Sequence, residues 1–217
     1  MKISAPSFVI PDSRANNVKY LKPLVHEVEL LFFDSRHDFD MPANGEIAEL
    51  AALNMDYSIH LPTDADLNTT DGWQVIDSYI DKLQSLKPLR MVIHPAESAF
   101  FLNEMDKRRK HNIIIENTDF YGSFFDDAAD MGFGLCFDNP HAGDKARDFL
   151  DRYKSHIREY HLQGEADGKH HKSLEHIEPN LLESILANAK IYGATVCLEV
   201  FRQDDFLKSL EIIRKHT

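Results

Sequence analysis

The chain lacks most of the features that mark the commoner function classes. It has two cysteines, Cys136 and Cys197, both inside apolar segments, where a reduced thiol behaves as a small buried hydrophobe. A disulfide scaffold is not expected. No apolar run approaches the roughly 18 residues that a membrane helix needs. The opening stretch MKISAPSFVIPD is interrupted by Pro6 and Pro11, which argues against a signal peptide and for the start of a strand. Together these predict a cytoplasmic protein with no membrane partner. Positive charge is scarce, with 24 Lys and Arg against 36 Asp and Glu, a formal net charge of −12. Affinity for a nucleic-acid backbone comes from cations displacing counterions, so no nucleic-acid partner is expected. No G-x-G-x-x-G or Walker loop follows the first apolar segment, and G-x-S-x-G, C-x-x-C and H-E-x-x-H patterns are also missing.

What is present is an ordinary globular composition, 43% apolar and 28% charged over 217 residues, without a linker or a compositional break. One domain over residues 1–217 is expected. Short apolar segments near residues 2–9, 26–33, 56–61, 89–95, 112–117, 133–138, 156–162 and 194–200 alternate with amphipathic stretches. One such stretch is Val75, Ile76, Tyr79, Ile80 and Leu83 behind a cap at Thr70 or Asp71. Eight strand-then-helix units predict an α/β protein, a single (β/α)8 TIM barrel, with a doubly wound open sheet as the alternative. The basic run DKRRKH, residues 106–111, reads as cations set against a helix C-terminus. The phenylalanine doublets at 32–33, 100–101 and 124–125 read as core and helix packing, with the lining of a pocket as the other reading.

In such a barrel the working face is the C-terminal end of the strands. The third to eighth segments finish repeatedly in acids and imidazoles: His60 in YSIHLP, His94 in MVIHPA, Glu116 in NIIIENTD, Asp138 and then His141 in GLCFDNPH, His161 in REYHLQG, and Glu199 in ATVCLEVF. Residues two apart share a face of a strand. Asp138 therefore sides with Cys136 and Gly134, Glu199 with Cys197 and Thr195, and Glu116 with Ile114, which suits a narrow lumen with large residues turned outward. The seventh segment fits least well, because Arg158 and Tyr160 would point outward. Carboxylates and imidazoles gathered at one mouth repel or neutralise one another unless a cation holds them charged. Oxygen and nitrogen donors without thiolate suit divalent Zn, Mn, Fe or Co. The two cysteines are expected to pack rather than ligate.

The order E, D-x-x-H, H, E on the fifth to eighth strands resembles the metal signature of the xylose isomerase-like or AP endonuclease-like barrel superfamily. By that resemblance Glu116, Asp138, His161 and Glu199 would be common ligands. The added His60, His94 and His141, with DGKHHKSL after the seventh strand, resemble the multinuclear arrangement of the endonuclease-type hydrolases. This resemblance implies one to three ions: His60 and His94 sharing one with a bridging Glu116, and His141 and His171 serving a third, with His170 as the alternative to His171. Lys169 stands where that pattern has an acid, with Asp167 as the substitute. More closely, APSFVIPD, HEVELLFFDS, IHLPTDADL, ENTDF and HLQGEADGKHHKSL resemble the cobamide-remodelling phosphodiesterases, although DNPH departs from their D-x-G-H.

The function this predicts is metal-dependent hydrolysis of a phosphodiester, such as that in the nucleotide loop of a cobamide, with Glu116, Glu199 and His141 as catalytic residues. The alternative is a single-metal sugar or sugar-phosphate isomerase or epimerase, with Glu116 and Glu199 as base and acid. Either way the expected substrate is a small anionic molecule, and Lys169 or Lys172 would assist in holding it.

Overall fold

A computed structural model of the chain describes residues 1–35, 41–96, 98–118 and 123–216. The last two residues of ENTDF, 119 and 120, lie outside them. The strands, in chain order, are β1 (Lys2–Pro6), β2 (Glu27–Leu31), β3 (Asp56–His60), β4 (Met91–Ile93), β5 (Ile113–Glu116), β6 (Gly134–Asp138), β7 (Ile157–Leu162), β8 (Gly164–Ala166), β9 (Lys169–Lys172) and β10 (Thr195–Leu198). All but β8 and β9 form one closed parallel barrel in the order β1-β2-β3-β4-β5-β6-β7-β10, with β1 pairing both β2 and β10. The fold is a single (β/α)8 TIM barrel. The eight strands fall where the apolar segments were read, and each stops near the point where polar side chains begin.

Helices α1 (Arg14–Leu21), α2 (Asn44–Ala52), α3 (Thr70–Leu83), α4 (Ala99–Lys107), α5 (Phe124–Asp130), α6 (Asn139–Ala142), α7 (Ala146–Tyr153), α8 (Pro179–Tyr192) and α9 (Gln203–Lys215) follow the strands. On α3, Trp73, Ile76, Tyr79, Ile80 and Leu83 are buried, the spacing of a single helix face. Its cap is Thr69, one residue before the expected position, whose hydroxyl accepts the N–H of Gly72 at 3.1 Å. Helix α8 starts on Pro179, where the missing N–H costs nothing, and stops at Gly193 with φ of 70°.

Strand parity sorts the residues into two layers. Leu135, Phe137, Val196 and Leu198 belong to the large core that also holds Phe149, Tyr153 and Phe206 of the helices. Each fully buried aromatic there contributes roughly 1.5–3 kcal/mol. Val92, Ile114 and Cys136 form a separate cluster. The seventh strand obeys the same rule: Tyr160 packs outward on Phe137, with ring centroids 5.9 Å apart, and Arg158 is exposed.

The expectation of small inward residues holds for β6 and β10 but not throughout. Glu27, Glu29 and Glu159 are fully buried and Arg90 nearly so. Arg90 Nη2 lies 2.5 Å from Glu27 Oε1, and its Nε lies 2.5 Å from Glu159 Oε2. Burial opposes the charge on Arg90, but Glu159 and then Glu27 outweigh it and raise the pKa.

Both cysteines are buried and free. Among the described residues no helix is long and apolar enough to cross a membrane. In the basic run, Arg108 pairs with Asp77 and Glu104 and lies over the Trp73 ring, a structural use of that charge.

Candidate metal centre

The strand ends bring the predicted residues to one mouth. His60 closes β3, Glu116 closes β5, Asp138 closes β6, His161 is the penultimate residue of β7, and His94 and Glu199 lie just beyond β4 and β10. His60 Nε2 is 3.2 Å from Glu116 Oε2, His94 Nε2 is 3.5 Å from Glu116 Oε1, and His161 Nδ1 is 3.4 Å from Glu116 Oε2 and 3.9 Å from Glu199 Oε2. Glu116, Asp138 and His161 are almost wholly buried.

The chain fixes these groups locally. Asp138 Oδ1 accepts the N–H of His141 at 2.9 Å and so caps α6. Pro140 falls in the first turn of that helix, where its ring fits, which accounts for DNPH in structural terms. Each of the two acids Glu116 and Asp138 is followed by an asparagine that reaches the next strand. Asn117 accepts the N–H of Asp138 at 2.9 Å and donates to its carbonyl at 3.0 Å. Asn139 does the same to Gln163, at 3.0 and 2.9 Å. The two side chains extend the barrel's hydrogen bonding past the last strand residues and hold the rim rigid.

The imidazoles are oriented as well. His60 Nδ1 lies 3.0 Å from the carbonyl of Leu61, an acceptor only, so that nitrogen carries a proton and donates it. His161 Nε2 lies 3.2 Å from Glu29 Oε2, and a carboxylate there calls for a proton on that nitrogen. The remaining nitrogens, Nε2 of His60 and Nδ1 of His161, turn towards Glu116. His161 Nδ1 is buried with no hydrogen-bond partner. Lone pairs facing a carboxylate are repulsive unless a proton or a metal cation lies between them, so the residues fit a cation.

Electrostatics give the same answer. Burial favours neutral His161, yet Cys136, Glu29 and Glu116 push its pKa well above the ordinary value. Burial works in the same way on His60, and the hydrogen bond to Glu116 raises its pKa. Glu116 would be raised by burial but is held well below the carboxylate range by His161 and His94. Glu199 is raised well above that range by burial, with His161 opposing and Asp138 and Glu116 adding to the rise.

Three sets of ligand atoms, each within 4.8 Å of one another, overlap here: His60, Glu116 and His161; Glu116, Asp138 and His141; Asp138, His161 and Glu199. This nitrogen and oxygen set suits Zn, Mn, Fe or Co. His94 stands beside the first set. His171 lies in the pocket wall, stacked on Phe201 with centroids 3.9 Å apart, and its Nδ1 lies 3.0 Å from the carbonyl of Glu199. It belongs to none of the candidate sets among the described residues. His170 turns towards Glu165, and Asp167 and Lys169 are exposed on the hairpin. A deeper set joins Glu29, Glu159, His161 and Cys197, so that Cys197, expected only to pack, lies within reach of ligating groups.

Three features were not read from the sequence. Glu29 orients His161; the alternation of Glu27 and Glu29 within an apolar strand was the available signal. The β8–β9 hairpin turns at Asp167 and Gly168, both with positive φ, and Asp-Gly is a strong hairpin signal. Gln163 touches two of the acids, and nothing local to it announces that.

A cavity of about 360 Å³ stands over this cluster. Leu31, Phe33, Phe201, Gln163 and His171 line it, and no Lys or Arg is among the described lining residues. Phe8, Phe33 and Phe201, on loops after adjacent strands, pack edge to face with centroids 5.6–6.3 Å apart. Phe33 thus lines the pocket while its neighbour Phe32 is buried.

The chain matches no family model and no curated protein. Among solved structures it is similar to a D-tagatose 3-epimerase-like protein, with 17% identity, TM-score 0.77 and coverage of 100% of this chain and 97% of that one. It is also similar to the probable 3-DHS dehydratase AsbF from Bacillus anthracis, with 14% identity, TM-score 0.71 and full coverage of both chains. A third likeness is to the TTHB071 protein from Thermus thermophilus, from crystals soaked with zinc chloride, with 17% identity, TM-score 0.70 and coverage of 100% and 99%. At these identities the likeness establishes a shared (β/α)8 fold over the whole chain.

Proposed function

We propose that the chain is a divalent-metal-dependent isomerase or epimerase acting on a small sugar-like hydroxycarbonyl compound. The observation that carries this reading is the position of the acid and imidazole cluster at the floor of a cavity of about 360 Å³ whose described lining has no Lys or Arg. Its size suits a monosaccharide, and its polarity suits a neutral one better than the anionic substrate first expected. Fold likeness to a D-tagatose 3-epimerase-like protein supports the reading.

Glu116, Asp138, His161 and Glu199 would hold the ion. When bound, it would polarise the substrate carbonyl and acidify the adjacent carbon. Glu116 would take the proton from that carbon, and Glu199 would return one to the opposite side, drawing it from solvent. Glu29 keeps His161 in one tautomer. Phe33 and Phe201 would cover the apolar face of the ring. The test is incubation of metal-loaded protein with candidate ketoses in D2O: deuterium should enter the carbon next to the carbonyl. Absence of label from every ketose, at a metal occupancy shown by elemental analysis, would refute it.

A second reading, hydrolysis of a phosphodiester such as that of a cobamide nucleotide loop, is favoured by one observation. Glu116 is shared between a set containing His60 and a set containing Asp138 and His141, as a carboxylate serving two ions would be. Two ions about 3.5–4 Å apart are the usual arrangement for such displacement. Stoichiometry separates the readings: one ion per chain supports the isomerase, two or three the hydrolase.

A further inference from the structure

Gln163 lies two residues beyond His161 and is 3% exposed. Its Nε2 donates to Asp138 Oδ2 at 3.0 Å and to Glu199 Oε2 at 2.7 Å, and its Oε1 accepts the backbone N–H of His171 at 2.9 Å. The acceptor end is committed to an N–H, so the NH2 end has to face the acids, and the orientation of the amide is settled by its partners. Its backbone is gripped on both sides by Asn139. Nothing about this side chain is free to rotate.

The third partner is equally constrained. His171 has φ of 58°, a conformation that a non-glycine residue adopts only where its surroundings enforce it. Here they do: Gln163 takes its N–H, the Glu199 carbonyl lies 3.0 Å from its Nδ1, and Phe201 stacks on its ring. At the base of the same hairpin, Gly164 lies so close to the Ser173 carbonyl that an added Cβ would come within 2.1 Å of that oxygen. One buried amide therefore joins three separate parts of the chain: the end of β6, the residue after β10 and the β8–β9 hairpin.

We infer that Gln163 is a positioning residue of the metal centre, whose two N–H groups set the orientation of the Asp138 and Glu199 carboxylates and tie both to the β8–β9 hairpin. This rests on the reading of Asp138 and Glu199 as ligands. Two buried acids side by side repel and, without a donor between them, each rotates to relieve the repulsion. The amide supplies that donor without adding charge, so the pair stays attractive to a cation. A hydrogen-bonded outer partner of this kind typically contributes about 10–100-fold in metal affinity.

The experiment uses Co2+ alone, titrated into metal-free protein and followed by the visible absorption of the bound ion and by thermal unfolding. The Q163M variant keeps the side-chain length and loses both polar ends. It should bind Co2+ about 10–100-fold more weakly, with an altered absorption band, while the unfolding temperature of the metal-free protein falls less than the Co2+-dependent increment does. If Gln163 only latches the hairpin, metal-free stability drops while affinity and spectrum stay within about twofold of the parent, and the inference is overturned. If the parent chain takes up no Co2+, the metal-centre reading itself fails, a separate outcome. Should Q163M fail to fold, Q163A is read by the same titration and the same criteria.

Discussion

Two buried charged clusters are stacked inside this barrel. Near the N-terminal ends of the strands, Arg90 lies between Glu27 and Glu159 with contacts of 2.5 Å to each. At the opposite mouth, Glu116, Asp138, Glu199, His60 and His161 meet without an Arg or Lys among the described pocket-lining residues. The lower cluster carries its own fixed cation. The upper one has no such partner among those residues, and its acids face imidazoles: Nε2 of His60 and Nδ1 of His161 turn towards Glu116. The contrast sets a cluster that carries its own counter-charge against one whose donors converge on a cavity.

The largest effect is expected from breaking the upper cluster at its shared member. E116Q should lower turnover by about 10^2–10^4-fold and reduce bound metal, measured by steady-state kinetics and elemental analysis. Breaking the lower cluster should affect folding instead. R90M leaves Glu27 and Glu159 buried without a counter-charge, which typically costs about 3–5 kcal/mol. Urea unfolding measures this, and replacing all three residues by apolar side chains of similar volume should recover much of the loss. If R90M left stability unchanged, the lower cluster would not be the internal clamp described here.

Glu29 lies between the two clusters and tests the boundary. E29Q should weaken metal binding by about 10–100-fold through loss of His161 orientation, with a smaller change in metal-free stability. The smallest effect is a proton count. The pKa values of His161, His60 and Glu199 are raised in the metal-free chain, so each holds its proton to a higher pH than it ordinarily would. A metal ligand must give up its proton, so uptake of Mn2+ or Co2+ should release protons and weaken as pH falls. Calorimetry in two buffers of different ionisation enthalpy detects this release. Binding without proton release would mean that the ion sits elsewhere.

Much of this could be read along the chain. Parallel strands of a closed barrel all point the same way, so a run of strands ending in His60, His94, Glu116 and Asp138 had to bring those residues to one rim. Parity placed Cys136 and Asp138 inward together. The lower cluster could have been foreseen from Glu27 and Glu29 by the same alternation. Other features had no local sign. Glu29 and His161 are 132 positions apart, and the role of Gln163 depends on distances to β6, to the residue after β10 and to β9 at once. The resemblance implied His171 as a ligand; its φ of 58° and its stacking on Phe201 are features that sequence pattern does not encode.

By itself the sequence determined the period of the barrel, the direction of its strands and the chemical type of the residues at its mouth, because each follows from neighbours in the chain. Only the tertiary structure decided which nitrogen of each imidazole faces the acids, which acid is shared, and which amide bonds to two of them. Those properties depend on contacts of about 3 Å between strands distant in sequence, and no local pattern specifies a separation of that kind.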